Sequence, residues 1–397
     1  MELDYTPAEE IERRLQKLRG EVNKRGWDAA LIVHDVDLLY FSGTMQNALL
    51  FVPLDGGDLL MVKKHGERAQ RESAVEQVIP LSSWNDLPSL IAERHGMIPK
   101  KMGIELDVLP AREYLRLQEI FAGVEIADSS SMIKNIRKIK SPYEIEQMKK
   151  AGEIGKTVYA EVRHVLKEGM TEIELAGILV AVAMRLGHQN YLRMRAFNAY
   201  AYSWHVLSGY TGGILSYIDA PMGGMGLSPS FPVGASQKRI KAHEPILIDF
   251  GICYNGYQVD ETRVFSLGEL PKQFKDAYLA ARQIEDEIAA AARPGASCHE
   301  LFRKGWEVAQ GLGYEESFMG PPGHKTRFIG HGIGLEIDEY PFIAQGHDYP
   351  LESGMTFALE PKMVFTAEGA VGIENTFCVL EDGVEKLTPA EEELIEV

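Results

Sequence analysis

The sequence predicts an α+β chain of two domains, residues 1–138 and 139–397. Up to about residue 135, helix-period and strand-period patterns alternate, as in a small α/β domain. Ser141-Pro142-Tyr143-Glu144 then opens a helix with Ser at the cap, Pro at the first position and Glu three residues after the cap, so the boundary falls near there. Beyond it, one long helical pattern ends at Gly169 and restarts at Thr171-Glu172-Ile173-Glu174, and another ends at Pro294-Gly295 and restarts at Ser297-Cys298-His299-Glu300. Both restarts read as capping boxes and both lead into β-rich sequence, which suggests two related helix-pair-plus-strand halves around a shared sheet. The four-residue pattern is common, so it is the β-rich context that supports the repeat.

In the first domain, Ile11 to Gly26 reads as an amphipathic helix and Ala29 to Val33 as a strand. Ala48 to Val52 and Leu59 to Val62 read as strands around the turn Asp55-Gly56-Gly57-Asp58. No dense catalytic cluster occurs there. In the second domain, Met222-Gly223-Gly224-Met225-Gly226 lacks both the GK[ST] ending and the following helix of a phosphate loop. It reads as a mobile substrate loop or lid, or as a plain connector.

Ile246 to Phe265 reads as a hairpin, because two apolar runs flank Asn255-Gly256, the strongest two-residue turn signal. If Tyr254 faces Tyr257, Asp249 lies opposite Thr262 and Asp260 opposite Gly251. The two acids then share one face as diagonal neighbours, roughly 7–8 Å apart at the backbone. Carboxylates at that separation can lean over one cation, with Thr262 as a supporting hydroxyl.

Three further residues join them. His331 sits in Ile329-Gly330-His331-Gly332-Ile333-Gly334-Leu335, where glycines permit close backbone approach and unusual dihedrals. Glu360 follows the apolar run Met355 to Leu359, and Glu374 lies inside Val371 to Phe377. Taken singly, each acid has a plainer reading as a surface charge, and the histidine as a structural one. Taken together they read as a site for two divalent ions, since four acids gathered at one point would otherwise raise one another's pKa. Carboxylates plus one imidazole suit Mn, Co, Fe or Zn.

The segments LIDFGICYNGYQVDETRVF, GHGIGLEIDEYP, GMTFALEP and VGIENTFCVLEDG resemble the successive metal-site motifs of the pita-bread metallopeptidases, the superfamily of prolidase, aminopeptidase P, methionine aminopeptidase and creatinase. The likeness extends to Asp37-Leu38-Leu39-Tyr40-Phe41-Ser42-Gly43 and to Lys140-Ser141-Pro142-Tyr143-Glu144-Ile145, which resemble the amino-terminal domain and linker of the prolidase and creatinase branch. It implies a creatinase-like domain over residues 1–138 and a pita-bread catalytic domain over 139–397. It also implies that Asp249 chelates one ion, that His331 and Glu360 hold the other, and that Asp260 and Glu374 bridge them. Glu360 would double as proton shuttle, the substrate would be a small Xaa-Pro peptide cut by an aminopeptidase or dipeptidase, and the chain would form a homodimer.

Two positions depart from that pattern. The family's histidine upstream of the first Asp falls here on Pro232, and its second substrate-side histidine falls on Asp338. An anion at 338 would favour a cationic substrate group, or act as a base if its pKa is raised. His205, in Ser203-Trp204-His205, and His324, in Pro322-Gly323-His324, are possible stand-ins or simply loop histidines. Three readings follow: a peptidase, a non-peptidase amide hydrolase or lyase using Asp338, or a binding protein without catalysis.

Composition narrows the partners. With 58 acids against 41 Lys and Arg, the net charge of −17 argues against nucleic acid and anionic membranes. Met1-Glu2-Leu3-Asp4-Tyr5 shows no basic region leading into an apolar core, and the expected location is cytoplasmic. Cys253, Cys298 and Cys378 are odd in number and lack CxxC spacing, so neither a disulfide framework nor a thiolate site is indicated.

Overall fold

The computed structural model describes residues 4–198 and 205–397. These fall into two compact units, Met1–Arg137 with Arg195–Ala199, and Lys138–Met194 with Tyr200–Val397. Ser203 and Trp204 of the motif before His205 lie outside the described residues.

In the first unit, α1 (Ala8–Lys24) starts ahead of Ile11 because Pro7 takes the cap position and Glu9 and Glu10 favour the first turn. Its stripe Ile11, Leu15, Leu18, Val22 is buried, as an amphipathic helix demands. There follow β1 (Ala29–Ile32), α2 (Asp35–Ser42), β2 (Ala48–Pro53), β3 (Leu59–Val62), α3 (Gly66–Glu72), β4 (Gln77–Pro80), α4 (Leu87–His95), β5 (Lys101–Ile104), α5 (Ala111–Ile120), β6 (Glu125–Asp128) and α6 (Ser130–Arg137). The strands form one mixed sheet ordered β4-β3-β2-β1-β5-β6. Leu31, Phe51, Met61 and Ile104 anchor its core.

The second unit opens with α7 (Pro142–Val165) and α8 (Glu172–Arg185). Ser141 with Glu144 and Thr171 with Glu174 close complete capping boxes. Next come β7 (His205–Ser208), β8 (Ile246–Tyr254), β9 (Tyr257–Ser266), α9 (Lys272–Ala291) and α10 (Cys298–Gly311). At α10 only half of the expected box forms: the Ser297 hydroxyl accepts from the Glu300 N–H, while the Glu300 carboxylate turns to Arg303. The remaining strands are β10 (Phe328–Gly332), β11 (Glu339–Ala344), β12 (Thr356–Leu359), β13 (Lys362–Phe365), β14 (Gly369–Gly372), β15 (Asn375–Val379), β16 (Val384–Lys386) and β17 (Ile395–Glu396).

In place of one shared sheet there are two, ordered β17-β9-β8-β7 and β11-β10-β12-β15-β16, with β13 and β14 as a separate hairpin. The two sheets meet at an isolated antiparallel bridge between Thr262 and Glu374, with Thr262 N–H to Glu374 O at 3.2 Å and Glu374 N–H to Thr262 O at 3.4 Å. Glu374 therefore lies in a break between β14 and β15 rather than inside a strand. That seam positions the site.

The glycine-rich segment 222–226 is packed down. Met222 is buried in the core, Gly223 donates to Ile214 O at 2.8 Å, and Gly234 donates to Gly223 O at 2.7 Å. A Cβ on Gly224 would lie 2.5 Å from Leu207 Cδ2, so its glycine serves close approach to β7. The structure thus favours the connector over the lid.

Candidate metal centre

The Asn255-Gly256 turn sets the register as expected: Asp249 pairs with Thr262, Gly251 with Asp260, and Tyr254 with Tyr257. Behind the hairpin, Tyr159 stacks on Phe250 at 5.0 Å, and its hydroxyl donates to the carbonyls of Ile248 and Glu261. The buried Arg263 guanidinium binds Thr262 O at 2.8 Å, Glu374 O at 2.9 Å and Asn375 Oδ1 at 2.9 Å, tying β9 to the segment that carries Glu374. The Thr376 hydroxyl accepts from the Asp260 N–H at 2.9 Å. Thr262, opposite Asp249 in the ladder, sends its hydroxyl to Glu374 Oε2 at 2.9 Å.

His331 lies on β10 between Gly330 and Gly332. A Cβ on Gly330 would come within 2.5 Å of Ala358 O, and one on Gly332 within 2.3 Å of the Tyr340 carbonyl carbon. Neither glycine has a left-handed φ, so close approach rather than unusual dihedrals is what they provide. His331 Nε2 faces Glu360 Oε1 at 3.8 Å and Glu374 Oε1 at 4.0 Å. Its Nδ1 faces Asp338 Oδ1 at 3.5 Å and Gly332 O at 3.3 Å. Asp338, 44% exposed, is thereby placed to fix the imidazole's orientation and leave Nε2 for an ion. The buried Lys140–Glu339 pair at 2.7 Å and the Glu336 N–H on Glu339 Oε1 at 3.0 Å hold the turn that carries it. Glu360 is fixed at its backbone by donation to Ile329 O at 3.0 Å.

The sequence reading missed Lys362. This first residue of β13 is 0% exposed, and its ammonium lies 2.9 Å from Glu374 Oε2, 3.4 Å from Glu360 Oε2 and 3.9 Å from Asp249 Oδ2. Its partner across the β13–β14 ladder is Gly372, where a Cβ would meet Lys362 Cδ at 2.5 Å and Pro361 O at 2.6 Å. The only local signal was a Lys directly after Glu360-Pro361 and at the head of an apolar strand.

Burial dominates the electrostatics. It raises Asp249 to about 7, with the Glu374 charge adding to it, and Glu360 to about 8 against the pull of Lys362. Asp260 is pushed well above the carboxylate range by burial and then by Glu374 and Asp249. At Glu374 burial pushes upward, yet Lys362 and His331 outweigh it and hold the carboxyl below its usual value. The centre is short of positive charge even with the lysine in place. A divalent ion fits that deficit: Asp260, His331 and Glu374 each offer one ligand atom, all within 4.8 Å of one another, in an oxygen and imidazole set.

Of the suggested stand-ins, His205 reaches the site and His324 does not. His205 pairs with Asp249 in the β7–β8 ladder, and its Nδ1 lies 4.0 Å from Asp249 Oδ2. Burial lowers it to about 4, so the ring is neutral near pH 7. His324 is exposed in the turn Pro321–His324, and among the described residues no ion pair or hydrogen bond joins its ring to the cluster. The Pro232 carbonyl accepts from the Ser216 hydroxyl, a contact within its own loop region.

Comparisons with known proteins give the family and the fold. The model of metallopeptidase family M24 matches residues 146–381, and that of the creatinase/prolidase N-terminal domain matches residues 14–139. The Xaa-Pro dipeptidase of Pyrococcus furiosus is 27% identical over 389 residues, covering 97% of this chain and 100% of that one. Among solved structures, the Xaa-Pro dipeptidase from Bacillus anthracis superposes with a TM-score of 0.83 at 23% identity, covering 98% of this chain and 100% of that one. The prolidase from Pyrococcus horikoshii OT3 does so with a TM-score of 0.80 at 25% identity, covering 96% and 100%.

Proposed function

Because the chain belongs to metallopeptidase family M24, we propose that it is a metal-dependent dipeptidase that hydrolyses the amide bond of small Xaa-Pro peptides. The observation that carries this is the convergence of Asp260, His331 and Glu374 at a buried seam, with Glu360 beside them. A divalent ion bound there supplies Lewis-acid polarisation of the scissile carbonyl and a more acidic water.

The chain's own groups do the rest. Asp260, Glu374 and His331 Nε2 would hold the ion, and Asp338, 3.5 Å from His331 Nδ1, would keep the imidazole turned toward it. Glu360, whose Oε1 lies 3.8 Å from His331 Nε2, would take the proton of the attacking water and return it to the leaving nitrogen. His205, buried, neutral and 4.0 Å from Asp249 Oδ2, would orient that carboxylate as an uncharged neighbour. The contact of Asp338 with His331 makes it a positioning residue here rather than a base, which disfavours the lyase reading. Retention of all five site residues disfavours a binding protein without catalysis.

Manganese as the working ion, a homodimeric state and a cytoplasmic location complete the proposal, carried by the resemblance to the prolidase branch and by the composition. Among the described residues no helix is long and apolar enough to cross a membrane. The test is a panel of Xaa-Pro dipeptides and tripeptides set against cyclic and guanidino amides and β-elimination substrates, each with Mn, Co or Zn. Xaa-Pro cleavage abolished by chelation is expected. Turnover confined to β-elimination substrates would overturn the proposal.

A further inference from the structure

Lys362 divides the centre into two lobes that share Glu374. On one side Glu374 Oε1 faces His331 Nε2 at 4.0 Å, with Glu360 Oε1 at 3.8 Å from the same nitrogen. On the other, Glu374 Oε2 faces the Lys362 ammonium at 2.9 Å, with Glu360 Oε2 at 3.4 Å and Asp249 Oδ2 at 3.9 Å from it. The first lobe also holds the Asp260 carboxylate and is the one place among the described residues where three ligand atoms lie close enough to hold an ion. In the second, an ammonium already stands among three carboxylates.

A divalent ion bound to Glu374 Oε2 and Asp249 Oδ2 would need oxygen distances near 2.0–2.2 Å. That would set it against Nζ, a like charge that is itself fully buried. The lysine has no room to leave, since its side chain is fully enclosed and its stem runs past the bare Cα of Gly372.

We infer that this centre takes one divalent ion, at Asp260, His331 and Glu374, and that the Lys362 ammonium permanently stands in the second cation position. The inference rests on the metal-dependent hydrolase reading and replaces the two ions expected from the sequence. In it, Asp249 is a partner of the lysine rather than an ion ligand. Lys362 holds Asp249, Glu360 and Glu374 together whether or not an ion is bound.

The full chain, stripped with chelator and titrated with Mn(II), tests this by calorimetry, elemental analysis and electron paramagnetic resonance. One equivalent per chain and an isolated six-line spectrum are expected. Lys362→Met, which keeps the stem and removes the charge, should take up two equivalents and show an exchange-coupled signal. Two equivalents with a coupled spectrum in the unaltered chain would overturn the inference and leave the hydrolase reading intact, as would a folded Lys362→Met chain that stays at one. No uptake at all would overturn the hydrolase reading itself. If Lys362→Met fails to fold, the titration of the unaltered chain decides alone.

Discussion

Asp37 in the first unit and Glu374 in the second are both enclosed carboxylates with a cation within 3 Å, yet their surroundings balance differently. Asp37 lies 2.7 Å from Arg137 and 2.7 Å from Arg195, and those guanidiniums overcome its burial and hold its carboxyl well below the usual range. The neighbouring buried acid Glu105 is raised to about 8 by burial and by Asp37, while it accepts backbone N–H bonds from Val33 and His34. The account closes within the protein. Around Glu374, four acids share one lysine and a histidine, and three of the four acids are raised. A buried charge cluster that is complete serves architecture, whereas one left short of cations marks a place for an ion from outside.

The largest effect that would sharpen this contrast is at Asp260. Asp260→Ala should lower Xaa-Pro dipeptide turnover by about a thousandfold or more. The metal-free thermal midpoint should not fall, because removing one acid relieves repulsion. A collapse of the fold would break the distinction between the units. Next is Arg137→Met, which leaves Asp37 short of a partner and should destabilise the first unit by about 3–5 kcal/mol in denaturant melts. A change under ~1 kcal/mol, the range of exposed pairs, would mean the network is not structural.

Smaller is Asp338→Asn, expected to weaken Mn(II) binding about 10–100-fold, as loss of a carboxylate behind a ligating imidazole does. Unchanged affinity in calorimetry would remove its positioning role. The subtlest is at Glu105. Its folded pKa of about 8 lies above the ordinary 4.5, so the folded state binds a proton that the unfolded chain releases. Stability from this group is full below about pH 4.5 and is lost as pH rises toward 8. Glu105→Gln should flatten that part of the stability-against-pH curve of the first unit, and an unaltered slope would contradict the protonated state.

The hairpin was legible to the residue because Asn-Gly fixes register locally, and Asp249, Asp260, His331, Glu360 and Glu374 could be singled out as candidates because that hairpin and three further short motifs carry them. Lys362 was not. A lysine is read as exposed unless something pairs it, and beyond the adjacent Glu360 its partners Asp249 and Glu374 come from segments that only the fold brings to it. Asp338 was seen as a residue but not in its role, since its contact with His331 depends on a turn held by Lys140, far away in sequence. For the glycine-rich segment 222–226 the sequence left lid and connector both open, because the close approach of Gly224 to Leu207 is a contact between segments that only the fold creates.

In the hairpin of β13 and β14, the Pro361 carbonyl already rules out a side chain at position 372, so the groove that takes the lysine stem belongs to the backbone and not to the residue at 362. On the single-ion inference, the number of ions the centre accepts therefore turns on one side chain, that at position 362.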